Sequence, residues 1–145
     1  MESIRIIKNK DELEGTGYVE LLAGPYLKKC WIDGSLFFDE ETFGYIEPAI
    51  ERRVPEYDHY SFTEISMESW GAIVGDLKAV RALLQRANSV ADLGGAVGFI
   101  FSGSEERFAD GFVENKAALC HMIAEVSAWI EETARTHDSV TVLGI

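Results

Sequence analysis

The sequence predicts an α+β fold in which a mixed or antiparallel β-sheet packs against about three α-helices. The chain has 145 residues, of which 47% are hydrophobic, and this suits one domain over residues 1–145 with a substantial core. Long apolar series at helical spacing alternate with short apolar runs bounded by turn residues, without repeats or low-complexity linkers. Interleaved elements of both kinds predict helices that cover a sheet.

The short apolar runs predict some six strands. They lie at residues 4–8, 18–22, 30–32, 35–38, 96–101 and 139–143. Asp33-Gly34 between the third and fourth runs is typical of a tight hairpin turn. Gly98 is expected where its strand packs closely against a neighbour.

Three helices are predicted from side-chain spacing and capping residues. Asp39 can cap a helix whose buried face carries Phe43 and Ile50, with a kink or restart at Pro48. Ser66 can cap a second helix that ends near residues 87–88, with apolar residues at helical spacing from position 70 to 84. A third helix spans apolar positions from 112 to 130.

The charge of the chain excludes some partners. Its net charge of −12 disfavours direct binding to nucleic acid or to an anionic membrane and favours a basic partner. From residue 33 to 68 there are ten acidic and two basic residues, a local net charge of −8.

The N-terminal apolar run is broken by Arg5 and Lys8, and no later run reaches the roughly 18 residues of a membrane span. A cytoplasmic protein is therefore predicted. Cys30 and Cys120 stand among apolar residues in no metal-binding spacing, which favours buried reduced thiols.

The stretch PEYDHYSFTEI, residues 55–65, concentrates reactive side chains. If it is extended, Asp58 and His59 point to opposite faces, so these neighbours cannot form a local Ser-His-Asp triad. His121, expected half-buried in a helix, and His137, expected at a helix end, share no ligand spacing with His59. The glycine-rich residues 92–98 lack a phosphate-loop pattern. No catalytic residue, metal or cofactor is predicted.

The same stretch has the composition of an interaction surface. Tyrosine and tryptophan are enriched at binding hot spots, and here they coincide with the acidic excess. The predicted partner-binding residues are Asp39, Glu40, Glu41, Tyr45, Glu47, Glu56, Tyr57, Asp58, His59, Tyr60 and Glu64. Alternation along a strand predicts that Tyr57 and His59 are more exposed than Tyr60.

The run from Ser35 to Ser66, SLFFDEETFGYIEPAIERRVPEYDHYSFTEIS, resembles small acidic immunity proteins of bacterial polymorphic toxin and contact-dependent growth inhibition systems. The resemblance implies a noncatalytic α/β protein that binds and neutralises a cognate toxin domain, such as a basic nuclease. It assigns no individual residue as a known contact.

Two other functions remain open from the residues. His59 with Asp58 or Glu64 could line the cleft of an enzyme or a small-ligand-binding protein. Alternatively, Trp31 and Trp70 could form the contact of a homodimeric regulatory subunit.

Overall fold

A computed structural model describes residues 4–145 and has the predicted α+β architecture. The strands are β1 (Tyr18–Ala23), β2 (Leu36–Asp39), β3 (Phe62–Ser66) and β4 (Ser139–Leu143). The α-helices are α1 (Glu40–Gly44), α2 (Glu47–Arg53), α3 (Met67–Arg86), α4 (Ser104–Asp110) and α5 (Phe112–Thr133). Short 3-10 helices span Lys10–Glu12 and Val90–Leu93.

The four strands form one antiparallel sheet in the order β2-β1-β4-β3. Ile7 pairs with Phe37 on the outer side of β2 through two backbone hydrogen bonds of 2.7 and 2.8 Å. Along residues 4–145, no strand pairs with the outer side of β3. The sheet therefore has one partly covered edge and one open edge.

One face of the sheet packs against α3 and α5 and forms the core. Alternate residues of every strand point into it, including Leu21, Phe38, Ile65 and Val142. Trp70 of α3 is almost fully buried, and its indole N–H donates to the backbone carbonyl of Val140 at 3.0 Å. The long-range packing of helices onto strands thus confirms the predicted fold class.

The segment after β1 covers part of the opposite face. Glu20 is buried there, and its carboxylate accepts the backbone N–H groups of Trp31 and Ile32 at 2.7 and 3.1 Å. These bonds hold a loop in which Lys28 and Trp31 have positive φ angles. The loop replaces the predicted strand at 30–32, so the hairpin prediction was wrong although the turn at Asp33-Gly34 is present.

Three further predictions about local structure need correction. Residues 4–8 form only the bridge at Ile7, and residues 96–101 form no strand. Residues 104–110 form α4, a helix that is not among the three predicted. Gly98 does pack closely, because a Cβ there would lie 2.3 Å from the carbonyl oxygen of Gly44. That contact is with α1 and not with a strand.

The capping predictions are confirmed. The side chains of Asp39 and Ser66 accept N–H groups of the first turns of α1 and α3. The chain also restarts at Pro48, where α2 follows α1 after two residues. Within the described part of the chain, no helix is long and apolar enough to cross a membrane.

Candidate functional site

His59 lies between two carboxylates that come from different helices. Its Nε2 is 2.7 Å from Glu40, the first residue of α1, and its Nδ1 is 2.7 Å from both oxygens of Glu47, the first residue of α2. The turn at residues 58–61, closed by the backbone N–H of Ser61 donating to the carbonyl of Asp58 at 3.0 Å, brings the imidazole to this position. His59 therefore ties the turn to the start of both helices.

This geometry specifies the protonation state of the imidazole. A neutral histidine donates through one nitrogen only, so its other nitrogen would face a carboxylate lone pair to lone pair. Burial lowers the pKa of His59, but the hydrogen bonds with Glu40 and Glu47 and their negative charges outweigh it, and the pKa is raised. The imidazolium is the species that satisfies both carboxylates.

Tyr57 adds a third hydrogen bond to the same cluster. Its hydroxyl donates to Glu47 at 2.5 Å, and the Glu47 side chain is almost fully buried. Burial, followed by the hydrogen bond and the charge of Glu47, raises the pKa of Tyr57 well above its ordinary value. Tyr57 thus remains a donor over the physiological pH range, and Glu47 is a structural carboxylate.

The cluster forms the floor of a cleft of about 300 Å³. Glu51 and three apolar or aromatic side chains, Tyr60, Ile100 and Phe101, line the rest of it. Tyr60 is 70% exposed and stands edge-on to the His59 ring, with 4.8 Å between ring centroids. The cleft therefore has an acidic floor and an aromatic rim.

A second acidic cluster connects α1 to α4. Ser104 is fully buried and donates to Glu41 at 2.6 Å, and the guanidinium of Arg107 pairs with the same carboxylate oxygen. Tyr45 is buried nearby. Burial, with smaller contributions from Glu41 and Asp39, raises the pKa of Tyr45 to about 12. Glu41 and Tyr45 are thus held by contacts within the fold.

The structure divides the predicted partner-binding residues by exposure. Glu56, Asp58, Tyr60 and Glu64 are exposed; Asp39, Glu40, Glu41, Tyr57 and His59 are half-buried; Tyr45 and Glu47 are buried. The predicted exposure order in the stretch was wrong, because Tyr60 is more exposed than Tyr57 and His59. The reason is the turn: Asp58 accepts the backbone N–H of Tyr60 at 2.8 Å, which breaks strand alternation before β3 begins.

The expected burial of two other side chains was also wrong. Cys30 is exposed in the loop beside Trp31, whereas Cys120 is buried as predicted. His121 is exposed on α5 and pairs with Glu125 at 3.0 Å. Neither residue contributes to the cleft.

The geometry gives little support to the two alternative functions, which are an enzyme or small-ligand-binding protein with a cleft at His59 and a homodimeric regulatory subunit. In the His59 cluster both ring nitrogens already face carboxylates, and Asp58 and Glu64 accept hydrogen bonds elsewhere, from the Tyr60 backbone and from Ser139. Within residues 4–145, no group of three or more His, Cys, Asp or Glu side chains is arranged so that it could hold a metal ion. Trp70 is buried in the core, so it is not a surface residue for a homodimer.

The sequence analysis did not predict three exposed apolar side chains. Phe62, Ile100 and Phe101 are large, hydrophobic and exposed, but Ile100 and Phe101 lie some forty residues after Phe62 in the chain.

The chain matches no family model, no curated protein and no solved structure. Its function is therefore inferred from its own exposed side chains, charges and contacts.

Proposed function

We propose that this chain is a noncatalytic immunity-type protein that binds and neutralises a basic cognate toxin domain, such as a nuclease, in the cytoplasm. The observation that supports the proposal is an exposed aromatic side chain with three exposed carboxylates within four residues of it in the chain. Tyr60 is 70% exposed, and its chain neighbours Glu56, Asp58 and Glu64 are also exposed. We call these four residues the acidic-aromatic surface.

The composition of this surface favours a protein partner of opposite charge. No Lys or Arg occurs between Val54 and Leu77, so Asp58 and Glu64 have no basic residue within four positions in the chain. Carboxylates in such positions accelerate encounter with a basic partner over the roughly 8 to 10 Å that salt leaves unscreened. An exposed tyrosine supplies apolar area and a hydrogen-bonding group at low entropic cost.

The aromatic rim of the cleft extends the surface. Ile100 and Phe101 line the cleft together with Tyr60, and each is about 40% exposed, at 39 and 42%. Contiguous exposed apolar side chains with a charged border are typical of binding sites. A small-ligand enzyme is a weaker explanation, since the imidazole of the cleft is fully engaged by Glu40 and Glu47.

The proposal is tested by capture, identification and neutralisation. The tagged chain is used to isolate proteins from its native cells, and each captured protein is expressed alone and together with the chain. We expect a basic protein whose expression arrests growth and whose toxicity the chain suppresses. Capture of only acidic or harmless proteins would contradict the proposal.

A variant pair then tests the surface itself. Tyr60→Ala should weaken binding to the captured protein by about 2 kcal/mol, or about 30-fold, if Tyr60 is a hot spot. Val113→Ala is the matched control, because Val113 is 69% exposed but lies on α5. The association rate of the parent should also fall steeply as salt is raised. Equal affinities of the two variants would exclude Tyr60 from the interface.

A further inference from the structure

The open edge of the sheet lies next to the acidic-aromatic surface. β3 begins at Phe62, two residues after Tyr60, and pairs with β4 on one side only. The opposite edge of the sheet differs, because Ile7 hydrogen-bonds to Phe37 of β2 there. Among residues 4–145, β3 is therefore the strand whose outer side has no backbone partner.

The register of the sheet identifies the backbone groups at this edge. The N–H of Gly144 donates to Ser61 at 3.1 Å, and the N–H of Met67 donates to Asp138 at 2.8 Å. In an antiparallel ladder, hydrogen-bonded pairs alternate with pairs whose backbone groups point the other way. Odd-numbered residues of β3 thus bond to β4, and Phe62 and Glu64 direct their N–H and C=O groups outward.

We propose that this edge binds an extended, basic segment of the partner protein, which adds to the sheet as a fifth strand beside β3. This inference depends on the proposed function and adds the mode of binding to it. An exposed strand edge supplies main-chain hydrogen bonds to an added strand, and the side chains along it select the sequence. Here Phe62 and Glu64 are the outward positions and both are exposed, Phe62 by 48%.

Charge distinguishes a basic segment from a second copy of this chain. If two β3 strands paired edge to edge about their centres, Glu64, the central residue and only acid of β3, would meet Glu64 of the other copy, and like charges on paired strands repel. Charged residues at a sheet edge commonly prevent self-association in this way. A Lys- or Arg-bearing strand would instead place its charges beside Glu64 and Asp58, both of which are exposed.

Aromatic contacts give the edge a defined apolar subsite. The rings of Tyr26 and Phe62 meet edge-on with 5.0 Å between centroids, so the Phe62 side chain is supported on the outer face of the sheet. Tyr60 precedes the strand by two residues and is exposed. In an added strand of alternating basic and apolar residues, all the basic side chains lie on one face of the sheet. Beside β3 they would lie next to both Glu64 and Phe62, with their alkyl stems against the Phe62 ring, and the apolar side chains would point to the core side of the sheet.

The inference is tested with a defined peptide before any partner is known. The probe is a peptide of alternating lysine and valine, and its control is the same peptide with a methyl group on every backbone nitrogen, which keeps the charge but removes the N–H donors. Backbone amide exchange is followed by NMR on the whole chain. We expect the lysine-valine peptide at millimolar concentration to slow exchange at Phe62 and Glu64 by about tenfold or more, and the N-methylated peptide to leave it unchanged.

Two substitutions at one position isolate the main-chain hydrogen bond. Glu64→Pro removes the outward N–H, while the ladder to β4, which uses Thr63 and Ile65, is retained. Glu64→Thr removes the same carboxylate but keeps the N–H and suits a strand. We expect Glu64→Pro to abolish peptide protection at Phe62 and Glu64→Thr to keep part of it. The amides of Thr63 and Ile65 report whether each variant still has its sheet.

The outcomes separate this inference from the proposed function. Unchanged exchange at Phe62 and Glu64 with the lysine-valine peptide, or equal slowing by the N-methylated peptide, would overturn strand addition in the parent protein, whatever the variants do. If a toxic basic partner is captured but binds Glu64→Pro as tightly as Glu64→Thr, strand addition is wrong and the proposed function stands. If the captured partner is not toxic while the peptide adds to β3, the proposed function fails and the edge remains a binding surface.

Discussion

Replacing His59 with glutamine should destabilise the protein more than any exposed histidine substitution. The imidazole donates to Glu40 and Glu47 through opposite nitrogens, each at 2.7 Å. A glutamine amide has one donor group and no charge, so it cannot satisfy both carboxylates from one position. Glu47, which is buried, would then keep only the hydroxyl of Tyr57.

The expected loss follows from the number of bonds and from their exposure. A hydrogen bond to a charged group contributes about 1.5–3 kcal/mol, and leaving a buried carboxylate poorly paired adds to the cost of its removal. The His59 side chain is 17% exposed and that of Glu40 is 23% exposed, so solvent weakens the second bond. We therefore expect a loss of about 2–3 kcal/mol in the free energy of unfolding, or about 6–9 °C in Tm for a chain of this size.

The direction of the His59 pKa shift determines how the loss of stability depends on pH. The pKa of His59 is raised above its ordinary value of 6.5, because its bonds to Glu40 and Glu47 outweigh the effect of burial. A raised pKa in the folded state means that the stabilisation is complete below about pH 6.5 and is lost as the pH rises through the folded value. The Tm difference between parent and His59→Gln should therefore be largest near pH 6 and should shrink in alkaline buffer.

Thermal melts of the parent and two variants test this reasoning. His121→Gln is the matched control, because His121 is exposed and pairs only with Glu125 on its own helix. Its Tm should change by less than about 1 °C, as expected for an exposed ion pair. If His59→Gln melts within about 2 °C of the parent, or if the difference grows with pH, the bridging imidazolium is not present as described.

Three further outcomes follow from the contacts. Ser104→Ala should cost about 1–2 kcal/mol in urea unfolding, because a fully buried hydroxyl that donates to Glu41 at 2.6 Å is removed; an unchanged unfolding midpoint would contradict this. A thiol reagent should label exposed Cys30 in the native protein and buried Cys120 only after unfolding, as mass spectrometry can establish; equal native labelling would refute the packing. Gly144→Ala should lower stability by about 1–3 kcal/mol in thermal melts, because its Cβ would lie 2.3 Å from the carbonyl oxygen of residue 59; a neutral result would exclude that close approach.

Short-range signals in the sequence were sufficient for the helices around the site. Asp39 and Ser66 cap helices through hydrogen bonds to residues three positions later, and Pro48 acts on the backbone next to it. Apolar residues at helical spacing in α3 and α5 mark buried faces for the same reason. These features depend on neighbours within one or two turns, which the sequence displays directly.

The site itself depends on contacts that the sequence does not display. Alternation predicts a single strand from Tyr57 to Ile65. Aspartate, however, is a residue type whose side chain stabilises turns, and Asp58 does so here. The turn reverses the exposure order of Tyr57 and Tyr60 and places His59 between two helices. Similarly, the apolar run at residues 96–101 predicts a strand. The spacing of apolar residues does not distinguish a buried strand from an apolar segment that packs against a helix.

The acidic residues that gave the chain its charge pattern serve two different physical purposes. Folding uses Glu20, Glu41 and Glu47, whose carboxylates accept backbone, hydroxyl or cationic donors inside the structure. Such carboxylates are oriented by their partners, so they contribute to stability and are poorly placed to meet another protein. Exposed carboxylates such as Asp58 and Glu64 lack a cationic partner among the ion pairs of residues 4–145, and their field reaches solvent. Among the acidic residues of the proposed interface, the exposed ones beside β3 are therefore those whose charge is available to the proposed basic partner, and the open edge of the sheet lies in the same place.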